Sequence, residues 1–150
     1  MEQERLTAAD LQALVEKVSL QSFHRPFRHQ ALVNKRLRTT GGRYLLDSHN
    51  IEFNYRYLNN QSALLGIIKH ELCHYHLHLA GRGFRHRDRD FKVLLARVGG
   101  LRYAPALPRQ FRYRYVCTNC GCVYLRQRRL NTRRFVCGKC RGRLELSLPN

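Results

Sequence analysis

His70-Glu71-Leu72-Cys73-His74 sits inside a run in which Leu64, Leu65, Ile68, Leu72, Tyr75 and Leu79 recur three, four and seven apart, the stripe of a helix packed on a core. Asn60 or Ser62 can cap its start and Gly81 can end it. Residues four apart on a helix lie one above the other, so His70 and His74 can reach one metal ion while Glu71 stands beside its open position. The pattern predicts a hydrolytic zinc site. A chance match among eight histidines is the competing explanation, and the helical context argues against it.

Two imidazoles alone hold zinc weakly, so a third protein ligand is expected, with one position left for water. The candidates are His76, His78, His86, Asp88 and Asp90. His76 lies about 200° round the helix from His74 and points away, as a solvated or buried polar side chain. His78 is one turn beyond His74, but three ligands along one straight helix converge poorly. Gly81 and Gly83 let the chain reverse, which can bring His86 back to the metal. Asp88 reads as the N-cap of a following helix whose buried face is Phe91, Leu94, Leu95 and Val98 and whose end is Gly99-Gly100. A cap needs its carboxylate for the backbone, so His86 is the better third ligand and Asp90 remains an alternative.

The run from His70 through Gly83, His86, Asp88 and Phe91 resembles the SprT-like metalloproteases, compact bacterial type, whose eukaryotic relatives include the Spartan protease. That family often carries a zinc ribbon after its catalytic domain, so the resemblance covers nearly the whole chain. It implies His70, His74 and His86 as ligands of a catalytic zinc and Glu71 as general base. It does not fix the substrate.

The chain has 150 residues, one ordinary domain or two small ones. No stretch approaches a membrane span, and the start is acidic and amphipathic where a secretory signal is basic then apolar, so a cytoplasmic protein is expected. Thiols stay reduced there, and six cysteines then argue for metal binding ahead of disulfides. The net charge of +18 is uneven. Residues 1–80 hold 10 Lys and Arg against 7 Asp and Glu, and residues 81–150 hold 18 against 3. A basic half dominated by arginine attracts polyanions, with nucleic acid the usual partner; a merely solvated surface is the alternative.

Thr7 opens a capping-box-like start, and Leu11, Leu14, Val15 and Val18 predict an amphipathic helix over 7–23. Ile51, Phe53, Tyr55 and Tyr57 alternate with Glu52, Asn54 and Arg56, which predicts a half-buried strand. Residues 31–38 and 43–47 read as two further strands joined through Thr39-Thr40-Gly41-Gly42. The expected class is α+β: a helix, a three-stranded antiparallel meander, the metal helix and a second helix, as in a minimal zincin-like metalloprotease core. The sheet edge near the metal can pair with an extended peptide. Residues 1–102 would form this core, and 103–112, with Pro105 and Pro108, a linker.

Cys117-x-x-Cys120 and Cys137-x-x-Cys140 are separated by sixteen residues, the spacing of a structural four-cysteine zinc site. Residues 113–150 therefore read as a zinc ribbon with short strands at 112–116, 123–126, 134–136 and 143–148, a module too small to fold without metal. Cys73 and Cys122 fall outside the set, as packing residues or free thiols. Arg126, Arg128, Arg129, Arg133 and Arg134 cluster near Tyr113, Tyr115, Tyr124 and Phe135. The arginines are assigned to nucleic-acid binding; the aromatics fit either stacking on bases or the ribbon's core.

Two zinc ions are thus expected, one catalytic and one structural, in a metalloprotease with a protein or peptide substrate and no membrane partner. By resemblance to the Spartan group, the basic ribbon would deliver it to proteins on DNA. The alternative is a non-catalytic nucleic-acid-binding protein with two structural zincs. Glu71 separates them, because a structural site has no need of a carboxylate beside its ligands.

Overall fold

The computed structural model describes residues 5–107 and 111–149, with side chains through 147. The chain divides into two compact units, 1–107 and 108–150. The first is α+β. Its helix α1, Ala8–Val18, is opened by a capping box between Thr7 and Asp10 and buries Leu11, Val15 and Val18. The expected helix continues to 23 in a different form, because Ser19–Phe23 is wound as a π-helix and His24 closes it in the left-handed region at φ 57°. Ser19 Oγ donates to the Arg25 carbonyl at 2.6 Å, so at 2.7 Å from His76 Nε2 it must accept that ring's proton. The widened turn thus meets the buried imidazole of His76.

Strands β1 (Ala31–Asn34), β2 (Gly42–Tyr44) and β3 (Ile51–Asn54) form one sheet in the order β1-β3-β2. It is mixed, where an antiparallel meander is expected: β3 pairs parallel with β1 and antiparallel with β2. Gln12 of α1 takes the Ala31 N–H and donates to the His29 carbonyl, which seats β1 against the helix and leaves the hairpin to β2 and β3. The strand expected through Tyr57 stops at Asn54, whose buried side chain accepts the Arg56 N–H and turns the chain into a 3-10 turn over Tyr55–Tyr57. Arg43 and Glu52 form the one ion pair among the described residues, across β2 and β3.

Helix α2, Gln61–Leu79, is capped by Asn60 and is buried on nearly every side, as a central helix must be. The expected stripe holds at Leu64, Ile68, Leu72 and Tyr75, but Leu65 and Leu79 are exposed. Cys73 is fully buried and burial pushes its thiol up to about 12, which makes it an inert packing residue. Helix α3, Arg89–Val98, buries Phe91, Leu95 and Val98 and ends at Gly99, left-handed at φ 72°. Beyond it Ala104 and Leu107 pack on the same core and Tyr57 donates its hydroxyl proton to the Pro105 carbonyl, so part of the segment expected as a 103–112 linker is held to the first unit. Residues 108–110 of it lie outside the described residues. Among the described residues no helix is long and apolar enough to cross a membrane.

The second unit is a three-stranded antiparallel sheet of β4 (Tyr113–Cys117), β5 (Val123–Arg126) and β6 (Leu144–Pro149) in the order β5-β4-β6. Its buried core is Tyr115, Cys117, Cys137 and Leu144. The strand expected at 134–136 is absent: Arg134 and Phe135 N–H groups both turn back to the Asn131 carbonyl.

Candidate metal centres

Two groups of side chains among the described residues bring their donor atoms within 4.8 Å of one another: His70, His74 and His86, and Cys117, Cys120, Cys137 and Cys140. In the first, His70 Nε2 lies 2.9 Å from His86 Nε2 and 3.2 Å from His74 Nε2, and the last two are 3.0 Å apart. A tetrahedral zinc about 2.0–2.1 Å from each nitrogen spaces them about 3.3–3.4 Å apart, close to what is seen.

The donor chemistry makes the same point independently. His70 Nδ1 is 2.6 Å from the Leu101 carbonyl and His74 Nδ1 is 2.5 Å from the Phe84 carbonyl. A carbonyl only accepts, so both rings carry the proton on Nδ1 and a bare lone pair on Nε2. Two lone pairs facing at 3.2 Å repel unless a cation lies between them. Burial holds both rings down at about 4, with the Arg102 charge adding to the effect, and lowers His86 as well. All three are therefore neutral near pH 7 and able to coordinate.

The histidines reach this geometry from two elements. His70 and His74 share the face of α2 that meets α3, where the Phe91 ring stacks on His74 at 4.4 Å between centroids. His86 arrives on the reversal after α2, and that loop is fastened by two carboxylates. Asp90 accepts the Gly83 N–H at 3.1 Å and Asp88 accepts the Arg85 N–H at 3.0 Å. Asp88 occupies the N-cap position of α3 as expected, but its side chain makes no cap hydrogen bond. Both carboxylates therefore act on the loop, leaving His86 to the imidazole cluster. His76 is the buried polar residue on the opposite side, and His78 is held at 2.6 Å by the Tyr44 hydroxyl.

Glu71 lies beside the cluster, 5 % exposed. Burial pushes its carboxyl up to about 8, and the Tyr44 N–H opposes this by donating to it. A cation on the adjacent imidazoles would draw it back toward the ionised form. β2 supplies the room: a Cβ on Gly42 would stand 2.9 Å from the Glu52 carbonyl oxygen and 3.2 Å from Glu71 Cγ. The imidazoles and Glu71 open into a cavity of about 570 Å³ shared with β2, Arg102 and Tyr103. Gly42 reads from the sequence only as a turn residue, and Tyr44, Arg102 and the Leu101 and Phe84 carbonyls have no spacing that marks them for the site.

A pH dependence follows from the buried rings. His70, His74 and His76 titrate near 4 in the folded unit against an ordinary 6.5, all chiefly through burial. The unfolded chain binds more protons between those values, so stability is full above the window and is lost as pH falls through it. Glu71, raised to about 8, works the other way over the same range, but three rings outweigh one carboxyl, so metal-free protein should show a urea midpoint that declines from about pH 7 to about pH 5. An unchanged midpoint would contradict the burial of neutral rings.

In the second group Cys117 Sγ is 3.4 Å from Cys140 Sγ, and Cys120 Sγ is 3.6 Å from Cys137 Sγ. Backbone N–H groups of Lys139 and Gly142 point at Cys137 and Cys140 sulfur. The Tyr124 hydroxyl, with the Cys140 and Lys139 amides, holds the Cys137 thiol down at about 6. A Cβ on Gly142 would come 2.7 Å from Cys117 Sγ, so only glycine fits there. These residues suit a closed thiolate site for zinc. Cys122, half-buried, stands outside the four. Arg126, Arg128, Arg129, Arg133 and Arg134 are all exposed, with Arg134 over the Phe135 ring at 5.6 Å. Tyr115 is buried in the small core while Phe135 is 48 % exposed, which divides the aromatics between packing and surface.

An α+β unit with three converging imidazoles, followed by a four-cysteine unit, defines a class of protein with two candidate metal centres. The SprT-like family profile matches residues 11–112. "Protein SprT-like" of Lactiplantibacillus plantarum is 56% identical over 147 residues, covering 94% of this chain and 99% of that protein. The protein of the same name from Geobacillus kaustophilus is 56% identical over 144 residues, covering 91% and 97%, and one from Bacillus cereus is 56% identical over 142 residues, covering 91% and 93%. The chain belongs to the SprT-like family and is a bacterial-type member of it. No solved structure matches the chain.

Proposed function

We propose that the first unit is a zinc-dependent metallopeptidase of the cytoplasm, with His70, His74 and His86 holding the ion and Glu71 as general base. The observation that carries this reading is the convergence of three Nε2 atoms beside a buried carboxylate in an open cavity. Bound zinc would supply Lewis acidity toward a peptide carbonyl and acidify a water molecule. Glu71 would take a proton from water and return it to the leaving amine, and the Tyr44 backbone N–H favours its ionised form. β2 is an edge strand lining the same cavity, which supports backbone pairing with an extended substrate independent of its side chains. Digestion of an unfolded protein such as casein by zinc-loaded protein, abolished by a chelator, tests the reading; undiminished digestion after chelation contradicts it.

Arg102 is proposed as the donor to the developing oxyanion. Leu101 is pinned by His70 and by its own N–H to the Gly66 carbonyl, which fixes the residue that follows at the cavity wall. Arg102→Ala is expected to lower kcat on the order of 10²-fold with KM and zinc content little changed. An equal loss in an Arg102→Lys variant would mark the guanidinium fork as the active feature, and no loss in either removes the role.

The exposed arginines of the second unit are proposed as a nucleic-acid surface that brings the peptidase to proteins on nucleic acid. Reversing Arg128 and Arg133 to Glu should weaken single-stranded DNA binding and flatten its salt dependence by about two phosphate contacts. Binding with an unaltered salt slope would place the interface elsewhere. Two structural zincs in a non-catalytic protein remain the alternative function, but that reading leaves the buried Glu71 carboxylate without a task.

A further inference from the structure

On the side of α2 away from the imidazole cluster lies a second cavity, of about 530 Å³. Its floor is apolar, from Phe23, Leu77, Val93 and Leu94, with Val93 56 % exposed. Its wall carries Arg25, Arg82, Arg89 and Arg97. None of these guanidinium groups has a carboxylate within ion-pair distance among the described residues. The wall's one acidic residue, Asp90, is committed to the Gly83 N–H. Four guanidinium groups against the single Asp90 carboxylate leave the cavity lining net positive, an arrangement suited to an anionic ligand.

Two further features point the same way. The cavity is lined by Phe23, the last residue of the π-helical turn Ser19–Phe23, and by His76, the buried ring tied to Ser19. π-turns cost stability and recur at functional sites. The first turn of α3 also lines it through Arg89 and Asp90, and Asp88 leaves that turn's N–H groups without a side-chain cap. The arginines that line the cavity beside this turn suit phosphate. An apolar floor of this size takes more than a bare ion, and guanidinium planes both pair with phosphate and stack on flat rings.

We propose that this cavity binds a nucleotide, phosphate on the arginines and base over Val93 and Leu94, either free or as one unit of a strand. The site is separate from the metal cluster and does not depend on the peptidase reading, since its readout is binding. Zinc-loaded full-length protein would be titrated with ADP, with a 5′-phosphorylated thymidine hexanucleotide and with inorganic phosphate, following amide resonances of Leu77, Ala80 and Val93. Saturable shifts there with ADP or the oligonucleotide, weakened at least about tenfold in R82E/R97E and in V93E, support the proposal; the tighter of the two names the source. These side chains are on the surface, so zinc content and basal peptide cleavage should be unchanged in the variants. No saturation with either probe, shifts that survive R82E/R97E, or inorganic phosphate binding as tightly as ADP would overturn it.

Discussion

Glu71→Gln is expected to abolish peptide hydrolysis while leaving zinc content unchanged. General acid–base catalysis contributes about 10²–10⁴-fold, and glutamine can neither take nor return the proton, so the loss should reach that range in kcat. The amide keeps the shape of the side chain and can still accept from the Tyr44 N–H. It also replaces a buried ionisable group by a neutral one, so the variant should be no less stable than the parent, because burial opposes the charge on Glu71. The measurement is kcat on casein with zinc content and urea midpoint in parallel. Near-normal cleavage would remove Glu71 from the chemistry. Lost cleavage accompanied by lost zinc would instead mark a structural role.

The second large effect concerns the cysteines. Cys117→Ser should unfold the second unit and leave the first intact. Of its four buried core residues two, Cys117 and Cys137, belong to the proposed metal set, so losing the ion removes half the core along with the cross-link. Structural zinc contributes about 10–16 kcal/mol in comparable small modules, more than a sheet of three short strands can replace. Zinc content should fall from two to one per chain, and amide dispersion should collapse over 111–149 while resonances such as Leu64, Ile68 and Leu72 hold their positions. A variant that keeps two zincs, or keeps a dispersed second unit, would contradict the assignment.

The parts of this architecture that sequence revealed are those that side-chain spacing encodes. Helix α2 was legible because His70, His74 and the apolar residues around them share one period, and the four-cysteine cluster because paired cysteines with glycine-relieved turns have few other uses. The third imidazole was legible through the glycines that permit a reversal, although the loop is fastened by Asp88 and Asp90 in a way that spacing does not indicate. The sheet departs from its sequence pattern where one side chain outweighs that pattern. Gln12 seats β1 and Asn54 ends β3, and neither contact leaves a periodic trace. Burial of α2 on nearly all sides also blurred its stripe, so Leu65 passed for core.

What the sequence could not carry at all is the backbone's share of the site. The Leu101 and Phe84 carbonyls set the ring tautomers, and the Tyr44 N–H meets Glu71, yet any residue type supplies those atoms. Gly42 was visible only as a turn residue, whereas its hydrogen side chain lets Glu71 approach β2. Such contacts depend on the tertiary path of the chain and so emerge only with coordinates.

The most direct test of the central claim is an anomalous difference map at the zinc edge from crystals of the full-length protein. The account predicts one peak about 2.0–2.1 Å from the Nε2 atoms of His70, His74 and His86, with Glu71 beside it and not bound to it. A peak coordinated by Asp90 or His78 in place of His86, or no peak among these imidazoles in zinc-loaded crystals, would contradict it.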